Sequence, residues 1–141
     1  MRSSAASDVY KRQLLNSIKG IGTINAMNTI IHTNNFQAFE TARQYACYLG
    51  IAPFEHSSGT SIKGKTRVYP TGAKLLKADL SQAANSAIVW DKEMKEYYER
   101  KRKEGKAYGV VLNAVKFKLV GRMFAVVKRG TPFVELMTYK K

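Results

Sequence analysis

Acidic residues are scarce in this chain: ten Asp and Glu stand against 24 Lys and Arg. Past residue 13 the only aspartates are Asp79 and Asp91, with no further carboxylates at a matching spacing. That shortage excludes a self-contained two-metal nuclease, whose ions need converging carboxylates. Histidine is as rare. His32 and His56 are isolated, and each reads as structural or exposed rather than as a ligand, so the sequence assigns no metal site. The single Cys47 excludes an internal disulfide and any all-Cys zinc site. It suits a reducing compartment, and within "ARQYACYLG" it reads as a small buried filler. Long apolar runs are missing too. The nearest, Gly109 to Val127, is broken by Lys116, Lys118 and Arg122, so no segment reads as membrane-spanning.

What remains is positive charge, +14 in 141 residues, one domain's worth of chain. The first thirteen residues hold Arg2, Lys11 and Arg12 against Asp8, so the excess survives without them. Such a balance favours a polyanionic partner, either nucleic acid or an anionic membrane surface, over a merely soluble basic protein. The stretch "SSAASDVYKRQ" has no apolar period and no h-region of a signal peptide. Its residues are, in order, the translation of a string resembling the adapter used in transposon-based sequencing libraries. Residues 1–13 are therefore expected to be an appended, disordered artefact, with the native domain over 14–133 and a tail over 134–141.

From Leu14 the texture is mainly α-helical. Leu14, Leu15 and Ile18 give an apolar helix face, Gly20 and Gly22 break it, and Thr23 is expected to cap a second helix carrying Ile24, Met27, Ile30 and Ile31 inward. Thr41 reads as the N-cap of a short helix with Tyr45, Cys47, Tyr48 and Leu49 inward, stopping at Gly50. Residues 53–72 are Ser-, Gly- and Lys-rich without helical period, a loop with a short strand or hairpin around Ile62 to Tyr69. Three further helices follow. The first buries Leu75, Leu76, Leu80, Ala83, Ala84, Ala87 and Ile88. The second starts at the N-cap Asp91, turns Met94, Tyr97 and Tyr98 inward, and carries Lys92–Glu96, Lys95–Glu99, Glu96–Arg100 and Glu99–Lys103 at i,i+4. The last runs to Gly130 and is apolar enough to be central.

Gly20-Ile21-Gly22 has the pattern of a helix-hairpin-helix, in which glycines allow a tight turn whose N–H groups hold a phosphate at a helix N-terminus. This makes Gly20, Gly22 and Thr23 candidate nucleic-acid contacts; an ordinary helical hairpin punctuated by glycine is the equal alternative. Lys63, Lys65, Arg67, Lys74 and Lys77 flank the long loop as candidate phosphate contacts, against the alternative of a solvated surface. Within the loop, "HSSGTS" places Ser57, Ser58, Thr60 and Ser61 beside His56 and the lysines. Exposed hydroxyl, proton acceptor and cations are what a serine attacking a phosphodiester requires, although a Ser-rich loop is more often a linker.

Taken in order, "IKGIGTINA", "FETARQYACYLGIAPFEHSSGTSIKGKTR", "GAKLLKADLSQAA", "YYERKRKEGKAYGVVLNAVKFKL" and "VKRGTPF" resemble the C-terminal domain of the insertion sequence 110 family of transposases, with its 116 and 902 relatives. The resemblance implies a DNA recombinase that moves a mobile element and works on DNA as a homo-oligomer, in some relatives guided by an element-encoded RNA. It implies a cytoplasmic, nucleoid-associated protein of a prokaryote. An N-terminal RuvC-like domain, absent from this chain, would hold a divalent metal, expected to be magnesium; this fragment would carry no cofactor and no activity alone. The family's Ser-Gly motif carries over to Ser58 as the nucleophile and Gly59 beside it. The chain departs from the family at "YPTG", where a more basic run is usual, and at Asp79, in a typically basic stretch. A stand-alone, non-catalytic helix-hairpin-helix DNA-binding protein is the alternative, and a membrane-surface protein a third.

Overall fold

The computed structural model describes residues 2–51 and 70–134. Six α-helices follow one another among them: α1 (Arg2–Asn16), α2 (Thr23–His32), α3 (Ala42–Leu49), α4 (Pro70–Trp90), α5 (Lys92–Lys103) and α6 (Tyr108–Arg129). The mainly α reading holds for them. The strand or hairpin expected around residues 62–69 lies outside the described residues.

Helix α6 is the axis. Val111, Val115, Leu119, Val120, Met123 and Val126 are buried along it, and α1, α3, α4 and α5 all pack against it. Its apolar residues recur at three- and four-residue intervals, which puts them on one broad face. Helix α4 supplies the opposing surface with Leu76, Leu80, Ala83, Ala84 and Ala87, whose small side chains let helices approach closely. Leu75, expected inside, is 46% exposed.

Local signals set the ends of α3 and α5. The Thr41 hydroxyl accepts from the Gln44 N–H at 3.1 Å, and α3 stops at Gly50 in the left-handed conformation. Asp91 caps α5 through Oδ1, which accepts from the Met94 N–H at 3.0 Å. Its other oxygen accepts from Arg122 of α6 at 2.8 Å, and Arg122 also reaches Glu93 at 2.8 Å. The i,i+4 pairs expected along α5 do not close, whereas Arg122 pairs with Asp91 and Glu93, and Lys101 with Glu104 at 3.4 Å. Long surface side chains lose more entropy than an exposed pair returns, whereas buried Asp91 is fixed already.

Two expectations are corrected. Thr23 does not cap α2; Gly22 occupies that position, without a side-chain cap, and Thr23 is the first helical residue. Nor is the expected apolar face turned inward. Of its four residues only Ile30 is buried, while Ile24 and Ile31 are 68% and 65% exposed. Asn25, Ala26 and Thr29 face the core instead. These polar groups are tolerated because each finds a partner: Asn25 donates to the Asp79 carbonyl at 3.1 Å, Thr29 to the Asn25 carbonyl at 2.9 Å, and Thr33 to the Thr29 carbonyl at 2.7 Å. The chain then leaves α2 through Asn34, Asn35 and Phe36, three consecutive residues at positive φ, with Phe36 set edge-on against Phe124 of α6.

The first thirteen residues, expected to be disordered, are also a correction: the chain is helical from Arg2. Low apolar content does not prevent this, because buried Leu14 and Leu15 fix the last turn and a helix extends more easily than it nucleates. The Tyr10 hydroxyl donates to the Gly130 carbonyl, and Lys11 donates to Asn35 Oδ1 at 3.0 Å. Deleting residues 1–13 removes these bonds and a third, from Lys11 to the Asn35 carbonyl at 3.2 Å, together about 2 kcal/mol, and is expected to lower Tm by about 4–8 °C. A calorimetric scan checks this; unfolding of the truncated chain at room temperature would show that the segment is indispensable.

Candidate nucleic-acid interface

The turn between α1 and α2 is built from Ser17 to Gly22. Ser17 closes it by donating to the Leu14 carbonyl at 2.6 Å while accepting from the Phe133 N–H at 2.8 Å. Gly20 has φ of +98°, and a Cβ there would lie 2.7 Å from the Ala83 carbonyl oxygen of α4. Gly22 is different: a Cβ would meet nothing within 4 Å. The first intrahelical bond of α2 is Ala26 N–H to the Gly22 carbonyl, at 2.9 Å. The N–H groups of Thr23, Ile24 and Asn25 therefore precede the helical ladder, at the positive end of the helix dipole.

These amides border an open groove of about 480 Å³, lined by Gly20, Gly22 and Thr23 from the turn and by Asp79, Gln82 and Ser86 from α4. The structure thus gathers the three turn residues read from the sequence and adds two neutral hydrogen-bonding side chains that the sequence did not point to. It also explains Asp79. That carboxylate accepts from Asn28 at 2.9 Å while its backbone carbonyl accepts from Asn25, so one residue ties α2 to α4 on the groove wall. The negative charge opposes a phosphate there; the amides favour one.

Lys74 and Lys77 are not part of this groove. On a helix with 3.6 residues per turn, Lys77 and Asp79 point roughly 200° apart. Asp79 faces α2, and Lys77 lies on the other side, close enough to Lys116 of α6 to destabilise its charge. Burial first, and Lys77 second, lower the Lys116 ammonium below its ordinary value. Lys116 is a residue that sequence reading treated only as an interruption of an apolar run; a lysine among Val and Leu on a buried helix face was the available signal. Burial likewise pushes the Tyr45 hydroxyl well up, which makes it a neutral core group, not an acid or nucleophile at ordinary pH.

Ser58, Gly59, Lys63, Lys65, Arg67 and His56 lie outside the described residues. Among the described residues no three His, Cys, Asp or Glu side chains gather as metal ligands, and no helix is long and apolar enough to cross a membrane.

Comparison with known proteins covers most of this architecture. The model of the transposase IS116/IS110/IS902 family matches residues 12–99, from the end of α1 through most of α5. The chain is 30% identical over 118 residues to the insertion element IS110 uncharacterized 43.6 kDa protein of Streptomyces coelicolor, covering 84% of this chain and 29% of that protein. It is 27% identical over 126 residues to the pilin gene-inverting protein of Moraxella lacunata, and 26% identical over 126 residues to that of Moraxella bovis. Each of the last two alignments covers 88% of this chain and 39% of the relative. The chain spans between a quarter and two fifths of the length of these relatives.

Proposed function

The chain belongs to the IS116/IS110/IS902 transposase family, and from that membership we propose that it is the serine-bearing, DNA-binding C-terminal domain of a recombinase that moves or inverts a DNA segment. The observation that carries this reading is the family match itself, which takes in both the α1–α2 turn and the Ser-Gly segment. The pilin gene-inverting relatives favour DNA rearrangement as the outcome, whether excision and insertion or inversion. The charge of +14 suits a protein that holds DNA, and the groove amides suit phosphate oxygens.

In this reading Ser58 is the nucleophile. Its Oγ bonds to phosphorus and loses its proton to a base; the bridging P–O bond to deoxyribose breaks, and the released DNA oxygen takes up a proton. The resulting phosphoester keeps bond energy for rejoining when a second DNA hydroxyl attacks. Gly59, without a Cβ, lets the phosphate backbone approach, and Lys63, Lys65 and Arg67 balance its charge. The divalent metal expected with a RuvC-like domain would be held by that domain; among the described residues of this chain no three His, Cys, Asp or Glu side chains gather to hold one. A homo-oligomer, an element-encoded guide RNA and a nucleoid location belong to the same proposal for the full-length protein.

The test for this chain is duplex DNA binding as a function of salt. Affinity is expected to fall linearly on a log–log scale, by about 0.9 in slope for each phosphate neutralised, with little sequence preference. Strand cleavage by the chain alone is expected to be undetectable with or without magnesium. Binding that ignores salt, or no binding, counts against the proposal.

A further inference from the structure

The last turn of α5 is basic from Arg100 to Lys103, and α6 adds Lys118 from the middle of its length. Part of this charge has an ordinary explanation. Cations at a helix C-terminus offset the dipole there, and Arg102 donates to the Lys106 carbonyl at 3.0 Å just past the helix end. Lys118 is near no helix end, and that explanation does not reach it.

The Lys118 ammonium lies over the Tyr97 ring, 4.5 Å from the centroid, and Arg100 and Lys101 lie over the same ring at 5.4 and 5.8 Å. An aromatic face attracts a cation, but three cations gathered on one ring repel one another. The nearby carboxylates do not neutralise them. Glu104 meets Lys101 at 3.4 Å, and Glu93, one turn before Tyr97, is taken up by Arg122 at 2.8 Å. Among the described residues no carboxylate pairs with Arg100 or Lys118, and both are exposed. Tyr97 is half-buried, with its side chain packed against the core. That packing fixes the point on which the cations converge and removes part of the rotamer freedom that a ligand would otherwise have to remove.

We propose that Arg100, Lys101 and Lys118, gathered over Tyr97, form a second phosphodiester-binding site for nucleic acid, on the α5–α6 face and sharing no residue with the groove between α2 and α4. The proposal rests on the DNA-binding reading above. Arg100 donates paired N–H groups to non-bridging phosphate oxygens, the two ammonium groups add point charges, and the anion relieves the repulsion among the three. The site holds the backbone and reads no base. A nucleic acid fits it better than a membrane, because among the described residues α5 exposes no large apolar side chain to enter lipid.

The experiment follows binding of a short fluorescent duplex to the whole chain across a salt series. Lys118→Gln is expected to weaken binding and to lower the slope of log affinity against log salt by about 0.9, one phosphate contact. Lys92→Gln, at the first residue of α5, removes the same charge away from the ring and is expected to keep the wild-type slope. A wild-type slope in Lys118→Gln overturns the site and leaves the DNA-binding reading standing. Equal falls in the two variants overturn it as well, since diffuse charge would then account for binding. The same chains are mixed with phosphatidylserine vesicles: vesicle binding lost in Lys118→Gln, with the DNA slope unchanged, would assign the cluster to a membrane surface and overturn the proposal. If the unsubstituted chain itself shows no salt-dependent DNA binding, the recombinase reading fails, and the site with it.

Discussion

In a full-length recombinase containing this chain, Ser58→Ala is expected to abolish recombination and covalent protein–DNA adducts, while DNA affinity stays within about twofold. Removing a nucleophile leaves nothing to form the intermediate, and such losses run to about four orders of magnitude or more. Affinity survives because binding rests on many cation–phosphate contacts, to which one hydroxyl adds little. Ser57→Ala is the matched control: it deletes a hydroxyl one residue away but leaves Ser58-Gly59 intact, and is expected to retain activity. Recombination assays with a denaturing gel for the adduct separate the two. A recombining Ser58→Ala protein would move the nucleophile elsewhere; an inactive Ser57→Ala protein with normal DNA binding would show that the motif alone does not choose between the serines.

The second large effect is on stability. Gly20→Ala is expected to cost about 2–4 kcal/mol, and Gly22→Ala no more than about 1 kcal/mol. At Gly20 two penalties combine: the left-handed backbone, worth about 1–2 kcal/mol for a residue with a Cβ, and a contact of 2.7 Å with the Ala83 carbonyl. That carbonyl belongs to the interior of α4 and cannot move without bending the helix. At Gly22 φ is −91° and the space around it is empty, so alanine loses only the modest preference of glycine as an N-cap. Urea titrations of the two variants give the comparison. Equal losses would mean that the turn gives way as a unit and that contact with α4 does not set it.

The same pair of glycines shows how far the sequence could be read. That Gly-Ile-Gly ends one helix and starts another is a local fact, as are the caps at Thr41 and Asp91 and the stops at Gly50 and Gly130, and each was visible in the residues. The reason for Gly20, the nearness of Ala83, depends on a residue more than sixty positions away and was not visible. The facing of α2 failed for a similar reason. By polarity Ile24, Met27 and Ile31 belong inside, but Asn25 and Thr29 win that side because their hydrogen bonds are met by α4 and by α2 itself. Lys74 and Lys77 were grouped with the loop cations by proximity in sequence, whereas the helical period sets Lys77 on the side of α4 away from Asp79 and the groove. Asp79 looked like a departure from a basic stretch; its partners on α2 make it a fastening.

Ser17 and Phe133 are separated by 116 positions, yet the hydroxyl of one meets the amide of the other at 2.8 Å, and Tyr10 reaches Gly130 nearby. Entry and exit of the bundle thus share one doorway. A unit wired in this way can be spliced into a longer polypeptide as a closed insert, or cut open at another surface turn and rejoined through a short linker, with its six helices left in register. The same wiring has an entropic cost: bonds between residues 116 and 120 positions apart close the longest loops in the fold, and tension applied to the two ends reaches them before it reaches the core.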